Sequence, residues 1–375
     1  METTIRRRWA PDPGWTGTWE LPDVLRAPPT DDERRMLVEL ACAGVGPGRI
    51  VRELELTGSI ERARDRIRAP HDARTAIGML ERTGARALTP ADEEYPAVLR
   101  EISAPPPLMF VRGQRLDTLL PCVAVVGCRA PTGGGARFAH RLAARLTEAG
   151  FTVVSGLARG IDAAAHEGAL EAGSTVAVLG TGIDRVYPPE HASLADWIVT
   201  SGCVVSEFAP GAGPRAWHFP ARNRLIAGLA MATIVVEAGE RSGALITADL
   251  AVDQGREVMA CIVSPTSSAG AGVRKMLRDG APMVIDPDHA LEHLVPLALA
   301  QGFTAHRPDQ MAERAVTELD GEAKLVYDAV SEGTTPDEVV AATGLGIGRV
   351  MALLSELEVK GVVCEEGPDR YTRSQ

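Results

Sequence analysis

The chain has 375 residues, 45% of them hydrophobic and 24% charged, with a formal net charge of −11. That length suits one large domain with one or two small ones, and the charge excludes a protein that coats nucleic acid through bulk electrostatics, so any nucleic-acid site must be local. No run approaches the ~20 apolar residues of a membrane span, and no apolar stretch follows the arginines of METTIRRRWAPDPGWTG, so neither a signal peptide nor an anchor is expected and the protein is expected in the cytoplasm.

The six cysteines (Cys42, Cys122, Cys128, Cys203, Cys261, Cys364) are dispersed without zinc spacing. They read as small core residues rather than as a disulfide framework or a metal site, with Cys128 set apart because it lies inside a motif. Lys275, Lys324 and Lys360 are the only lysines, so the positive charge is almost all guanidinium, which suits bidentate phosphate contacts.

In chain order, residues 1–30 are rich in Pro, Arg and Trp and read as a flexible tail. Residues 31–90 turn helical: an acidic first turn at Asp31 and Asp32, an apolar stripe, and a break at Gly44-Val45-Gly46-Pro47 before a second helix. The break resembles a helix-hairpin-helix turn, although a hairpin that merely packs is the commoner case. From 91 to 300, after Tyr95-Pro96 and Pro105-Pro106-Pro107, apolar runs at 122–126, 151–154, 175–179, 203–205, 233–236, 257–262 and 283–285 alternate with helical patterns. That alternation predicts an α/β fold with a doubly wound, mainly parallel sheet covered on both faces. A polar linker at 301–320 precedes three helices and a β-like end over 321–375, the order of a winged helix, in which Thr335 and Glu338 form a capping-box pattern with Pro336 at the first helical position.

Four glycine-punctuated motifs follow the apolar runs. In GCRAPTGGGARF (127–138), Gly127 allows a sharp turn and Arg129 projects over the carboxyl edge of the sheet, where ligands bind in such folds. No G-x-G-x-x-G fingerprint is present, which disfavours a dinucleotide. In SGLARGIDAAAH (155–166), Ser155, Gly156, Arg159 and Gly160 are candidates to hold an anion at a helix N-terminus. Asp162 and His166 suggest a hydrolase trio with Ser155, but the nucleophile elbow is missing, and a pair that caps or staples the helix is the simpler reading. FPARNRLIAGL (219–229) places Arg222, Asn223 and Arg224 beside Phe219, a platform for base stacking and phosphate clamping. The bland alternative is a core aromatic with arginines in salt bridges. EAGERSGALITA (237–248) offers Ser242 and Gly243 at another helix start, with Glu237 either pairing with an arginine or acting as an acid or base.

Taken together, this series resembles the DNA-processing protein A family (DprA, also called Smf). The shared pattern is Gly127-Cys128-Arg129, residues 155–166, Tyr187-Pro188, Gly202 to Glu207, residues 219–229, residues 237–248 and the terminal winged helix. The resemblance implies an extended Rossmann-like DNA-binding domain, an N-terminal sterile-alpha-motif-like helical domain and a homodimer formed through the far side of the Rossmann-like domain. It also implies a non-enzymatic, single-strand DNA-binding mediator without cofactor or metal, which protects strands and loads the RecA recombinase, notably in natural transformation. Cys128 stands where the family has serine. Ala216 stands where it often has lysine, which passes that role to Arg215. Arg274 stands where it has asparagine, and a Pro-Gly after the 257–262 run is absent. Two rivals remain: a phosphoribohydrolase-like enzyme using Glu237 or Glu240, whose P-G-G-x-G-T-x-x-E motif is missing, and a nucleotide-sensing regulator reading duplex DNA. The second needs a basic recognition helix, yet residues 346–360 offer only Arg349 and Lys360 against Glu356 and Glu358, and residues 301–375 hold seven Lys/Arg against fourteen Asp/Glu.

Overall fold

The computed structural model describes residues 19–67, 74–261, 270–303, 316, 319, 321–331, 333–359, 362–367 and 370–373. They fall into two compact units, Met1–Thr304 and Ala305–Gln375. Of the expected tail, residues up to 18 lie outside the described set. Residues from Trp19 on are packed: its backbone N–H donates to Ser103 O at 2.9 Å, its indole N–H donates to Pro105 O at 2.8 Å, and Leu25 is fully buried.

Four helices open the first unit: α1 (Asp31–Cys42), α2 (Pro47–Thr57), α3 (Ile60–Ile67) and α4 (Arg74–Thr83). Thr30 and Glu33 close a reciprocal capping box on α1, which satisfies two orphan N–H groups at its start. Pro47 takes the first position of α2, and Gly58 ends that helix with φ 59°. Leu37, Leu40, Ile50, Leu54 and Ile60 share one apolar cluster with Phe110, Ala177, Leu179, Ile198 and Val204, so these helices pack on a face of the sheet.

The rest of the unit runs β1 (Arg86–Leu88), α5 (Ala97–Arg100), β2 (Met109–Gly113), β3 (Cys122–Val126), α6 (Gly133–Glu148), β4 (Thr152–Ser155), α7 (Ile161–Ala172) and β5 (Thr175–Val178). It continues through α8 (Ala192–Ser201), β6 (Cys203–Ser206), α9 (His218–Leu229), β7 (Ala230–Val235), α10 (Gly243–Asp253), β8 (Glu257–Cys261), α11 (Ala271–Arg278), β9 (Met283–Val284) and α12 (Pro287–Ala300). The nine strands form one sheet in the order β1-β2-β6-β5-β4-β3-β7-β8-β9. From β6 to β9 every pairing is parallel, as the strand-helix alternation predicts, and β3 to β7 are buried on both faces. The antiparallel strands β1 and β2 were not foreseen: β1 falls within the 31–90 stretch expected to be helical, β2 follows Pro105-Pro106-Pro107, and β2 joins β1 to the sheet by pairing with β6.

Strand order reverses between β3 and β7. That switch point opens a crevice at the carboxyl ends of the parallel strands, where all four sequence motifs converge.

The second unit comprises α13 (Gly321–Ala329), α14 (Pro336–Thr343), α15 (Ile347–Val359) and a hairpin of β10 (Val363–Gly367) with β11 (Arg370–Arg373), a winged helix. Thr335 and Glu338 form the expected capping box, and Gly344 ends α14 with φ 71°. Val350, Leu353, Leu354 and Leu357 fill the unit's core together with Val326, Val339 and Tyr371. Most of the expected 301–320 linker lies outside the described residues. Among the described residues no single helix is long and apolar enough to cross a membrane.

Candidate nucleic-acid interface

The loops after β3, β4, β5, β6 and β7 lie side by side at the carboxyl edge, and they sort into a rim and a floor. On the rim, Arg129 is exposed and its guanidinium lies over the Phe219 ring, 5.5 Å from the centroid. Phe219, the second residue of α9, is half-buried and meets Tyr187 with ring centroids 5.5 Å apart and a 47° tilt. The start of α9 is anchored by His218, whose Nδ1 bonds Gly180 O at 3.0 Å and whose ring stacks on Phe208 at 3.9 Å. Arg215, in the loop before α9, is exposed and has no ion-pair partner among the described residues. Arg159 is also exposed and pairs with Glu190 across the solvent. Gly160, with φ 82°, turns the β4 loop into α7 at a point where a Cβ would sit 2.5 Å from Cys128 O, so glycine is required. These residues form a surface with an aromatic face and exposed guanidinium groups, of which Arg159 is held by Glu190.

The floor corrects several expectations. Arg222 and Arg224 were expected to clamp phosphate with Asn223, but all three are at least nine-tenths buried. Arg224 makes a two-pronged ion pair with Glu207 at 2.6 and 2.5 Å and donates its Nε–H to Ala104 O at 3.1 Å. Arg222 donates to Gly156 O at 2.8 Å and to Val178 O, with Asn223 Oδ1 accepting from its Nε at 3.2 Å. Burial pushes this guanidinium down to about 10, partly opposed by Asp162. The physical reason is that α9 is buried on every face: residues 221 to 229 are buried in unbroken succession, so its polar residues must find partners within the protein.

The β4 loop is satisfied from within in the same way. Ser155 is fully buried and its hydroxyl donates to Val125 O at 2.7 Å, so it is not free for an anion. Asp162 accepts from Gly156 N–H at 3.1 Å and Ala158 N–H at 3.3 Å, and burial raises its pKa against the pull of Arg222. His166 Nε2 accepts from Leu157 N–H at 3.3 Å. Its Nδ1 meets the Thr175 hydroxyl at 2.7 Å, and that hydroxyl is already committed to Val153 O, so Nδ1 carries the proton. Burial pushes His166 from 6.5 to about 3, and the ring is neutral. Together they hold Leu157 at φ 55°, a left-handed conformation uncommon for a non-glycine residue. Asp162 and His166 thus staple the loop, and the hydrolase trio has no free member.

The remaining motif residues divide likewise. Gly127 ends β3 against the Ile161 side chain, and Cys128 N–H donates to Glu237 O at 2.6 Å. Ser242 caps α10 by accepting from Ala244 N–H at 3.3 Å, leaving Gly243 exposed at the first position of that helix. Glu237 neither pairs with an arginine nor stands free as an acid or base. It is 1% exposed, and its carboxylate accepts the Thr132 N–H at 2.8 Å and the Thr132 hydroxyl at 2.7 Å. Two residues escaped site assignment at the sequence level. Tyr187 served only as a landmark of the family pattern, although an aromatic in a loop after a buried strand was the available signal. Thr132 carried no signal, because its partner is 105 residues away.

The fold defines the class: an open, extended Rossmann-like sheet with a C-terminal winged helix. The family model described as DNA recombination-mediator protein A matches residues 86–295, and that described as DprA winged helix domain matches residues 288–367. The chain belongs to the DNA recombination-mediator protein A family. Among its relatives is the protein Smf of a Synechocystis species, 39% identical over 318 residues, covering 76% of this chain and 79% of that protein. Among solved structures, DNA processing protein A from Streptococcus pneumoniae superposes with a TM-score of 0.62 at 35% identity, covering 69% of this chain and 97% of that one. The Helicobacter pylori protein, whose structure is described in terms of its single-stranded DNA binding mode, superposes with a TM-score of 0.52 at 26% identity, covering 56% of this chain and 96% of that one.

Proposed function

We propose that this protein binds single-stranded DNA at the rim and acts as a recombination mediator that protects strands and loads RecA, as in natural transformation. The observation that carries the reading is the juxtaposition of Arg129, Phe219 and Tyr187 at the carboxyl edge of a DprA-family sheet. A flexible single strand can stack a base on the aromatic face while guanidinium groups meet its phosphates, and neither contact reads sequence. The description of the Helicobacter pylori relative, as a single-stranded DNA binder, supports the same assignment. The proposed contact set is Arg129, Arg159, Arg215, Phe219 and Gly243, with Gly127, Cys128, Gly156 and Gly160 shaping the loops. The test is a titration of single-stranded against duplex oligonucleotides at two salt concentrations. Tight, sequence-tolerant, salt-sensitive binding of the single strand is expected; equal or stronger duplex binding would overturn it.

The reading is non-enzymatic and needs no cofactor. Of the two residues a nucleotide-cleaving rival would use, Glu237 is buried and bonded to Thr132, while Glu240 is exposed. Release of free base from nucleoside monophosphates would reinstate the rival. We also propose a cytoplasmic homodimer built through the later part of the Rossmann-like domain, where Met283, Ile285 and Leu299 are exposed. A second copy would double the strand sites and raise avidity without new contacts. Sedimentation as a monomer at tens of micromolar would remove the dimer.

A further inference from the structure

The switch-point crevice between β3 and β7 is where a Rossmann-like sheet ordinarily seats a phosphate, on the N-terminus of the helix that follows the first strand. Here that helix is α6, and its N-terminus already holds an anion. The Glu237 carboxylate lies against Thr132, the N-cap residue, taking its N–H at 2.8 Å and its hydroxyl at 2.7 Å. In the first turn, a Cβ on Gly135 would come within 2.5 Å of the Glu237 Cδ, so the glycine is what admits the carboxylate. The main chain of Glu237 acts on the same loop, accepting Cys128 N–H at 2.6 Å, while Cys128 O in turn accepts Ile161 N–H at 3.2 Å. The loop carrying Arg129 is therefore tied to Glu237 on both sides of the arginine, at Cys128 and at Thr132.

We propose that Glu237 is a built-in substitute for a bound phosphate. It closes the crevice to mononucleotides, and as a positioning residue it fixes the 128–132 loop so that Arg129 stands over Phe219. A carboxylate suits the place electrostatically, since it faces N–H and O–H donors and the positive end of a 16-residue helix. The second half of this inference rests on the reading that Arg129 contacts the strand; the first half does not.

The experiment uses the full chain with Glu237→Ala and formate as the probe, against chloride at equal ionic strength. Formate is expected to raise the melting temperature of Glu237→Ala and not that of the wild type, because only the variant has an empty seat. No difference between the two proteins would overturn the plug, whatever the DNA result. In chloride, single-strand affinity of Glu237→Ala is expected to fall on the order of tenfold, the equivalent of one charge-assisted hydrogen bond, and to recover in formate. Undiminished affinity in chloride, or a loss that formate leaves in place, would overturn the positioning role. If Glu237→Ala fails to fold, Gly135→Ala crowds the carboxylate from the opposite side. It should weaken single-strand binding without any response to formate, and wild-type affinity in that variant would count against the proposal. Arg129→Ala serves as the separate control on the underlying reading: wild-type affinity there would remove the contact assignment while leaving the melting result to judge the plug.

Discussion

The rim and the floor of the carboxyl edge are built from the same residue types, yet they treat charge in opposite ways. On the floor Arg222, Arg224, Asp162, Glu207 and Glu237 are all more than nine-tenths buried, and each is satisfied within the protein. On the rim Arg129, Arg159 and Arg215 face solvent, and beside them Phe219 keeps part of its ring open. Two arginines two residues apart on one helix can therefore be structural, while Arg129, 93 positions before the first of them, faces solvent. The difference follows from burial: a guanidinium removed from water must be paired, and one left in water is free to be claimed by phosphate.

If that division holds, floor substitutions should damage folding and rim substitutions should damage binding. The largest effect is expected at Arg224→Ala, which strands Glu207 as an unpaired buried carboxylate and should cost about 3–5 kcal/mol in denaturant unfolding. Any protein that remains folded should bind single strands normally. A stable variant with a specific DNA defect would move Arg224 from the floor to the rim. Next comes Phe219→Ala, expected to lose roughly 1–3 kcal/mol of single-strand affinity with little change in melting. Unfolding of this variant would place Phe219 in the core instead.

The floor also has a pH signature. His166 is held down to about 3 by burial, with Arg222 and His191 acting in the same direction. Below pH 6.5 the unfolded chain takes up a proton that the folded ring refuses until about pH 3. Stability from this residue is therefore full above 6.5 and lost as pH falls through that window, by about 1.4 kcal/mol per pH unit. Asp162, raised by burial, works in the opposite direction, so the test is the difference between wild type and His166→Gln, which can still accept from Leu157 N–H. The variant should show the shallower loss of stability between about pH 6 and 4. Equal slopes would mean that His166 takes a proton in the folded state.

The smallest effect concerns the winged-helix unit. Residues 305–375 carry seven Lys/Arg against fourteen Asp/Glu, so this unit should repel a phosphate backbone rather than dock on it. Removing it is expected to leave single-strand affinity unchanged or slightly raised, most visibly at low salt. Loss of most of the affinity would make the unit a DNA reader despite its charge.

Much of this architecture was legible in the chain. The buried strands β3 to β7 announced themselves as apolar runs, most of them without polar alternation, and the winged helix by its Thr335–Glu338 cap and the apolar stripe of α15. The expected strand boundaries moved by a few residues at most, the largest shift being β7, which starts at Ala230 rather than 233. What periodicity could not supply was direction. The FPARNRLIAGL pattern gave both readings, exposed platform and buried arginines, and the structure splits them: Phe219 belongs to the first, Arg222 and Arg224 to the second. Glu207 lies 17 residues from Arg224 and Glu237 lies 105 from Thr132, and no local pattern pairs residues across such distances. Ser155 misled because a serine at a strand's end before glycines fits an anion loop equally well as a hydroxyl turned back onto the neighbouring strand.

The most direct test of the rim is the salt dependence of single-strand binding in Arg129→Ala and Arg215→Ala, measured beside the wild type over a range of monovalent salt. Each lost phosphate contact should flatten the log-log slope by about 0.7, with melting temperatures unchanged. Wild-type slopes and affinities in both folded variants would contradict the account.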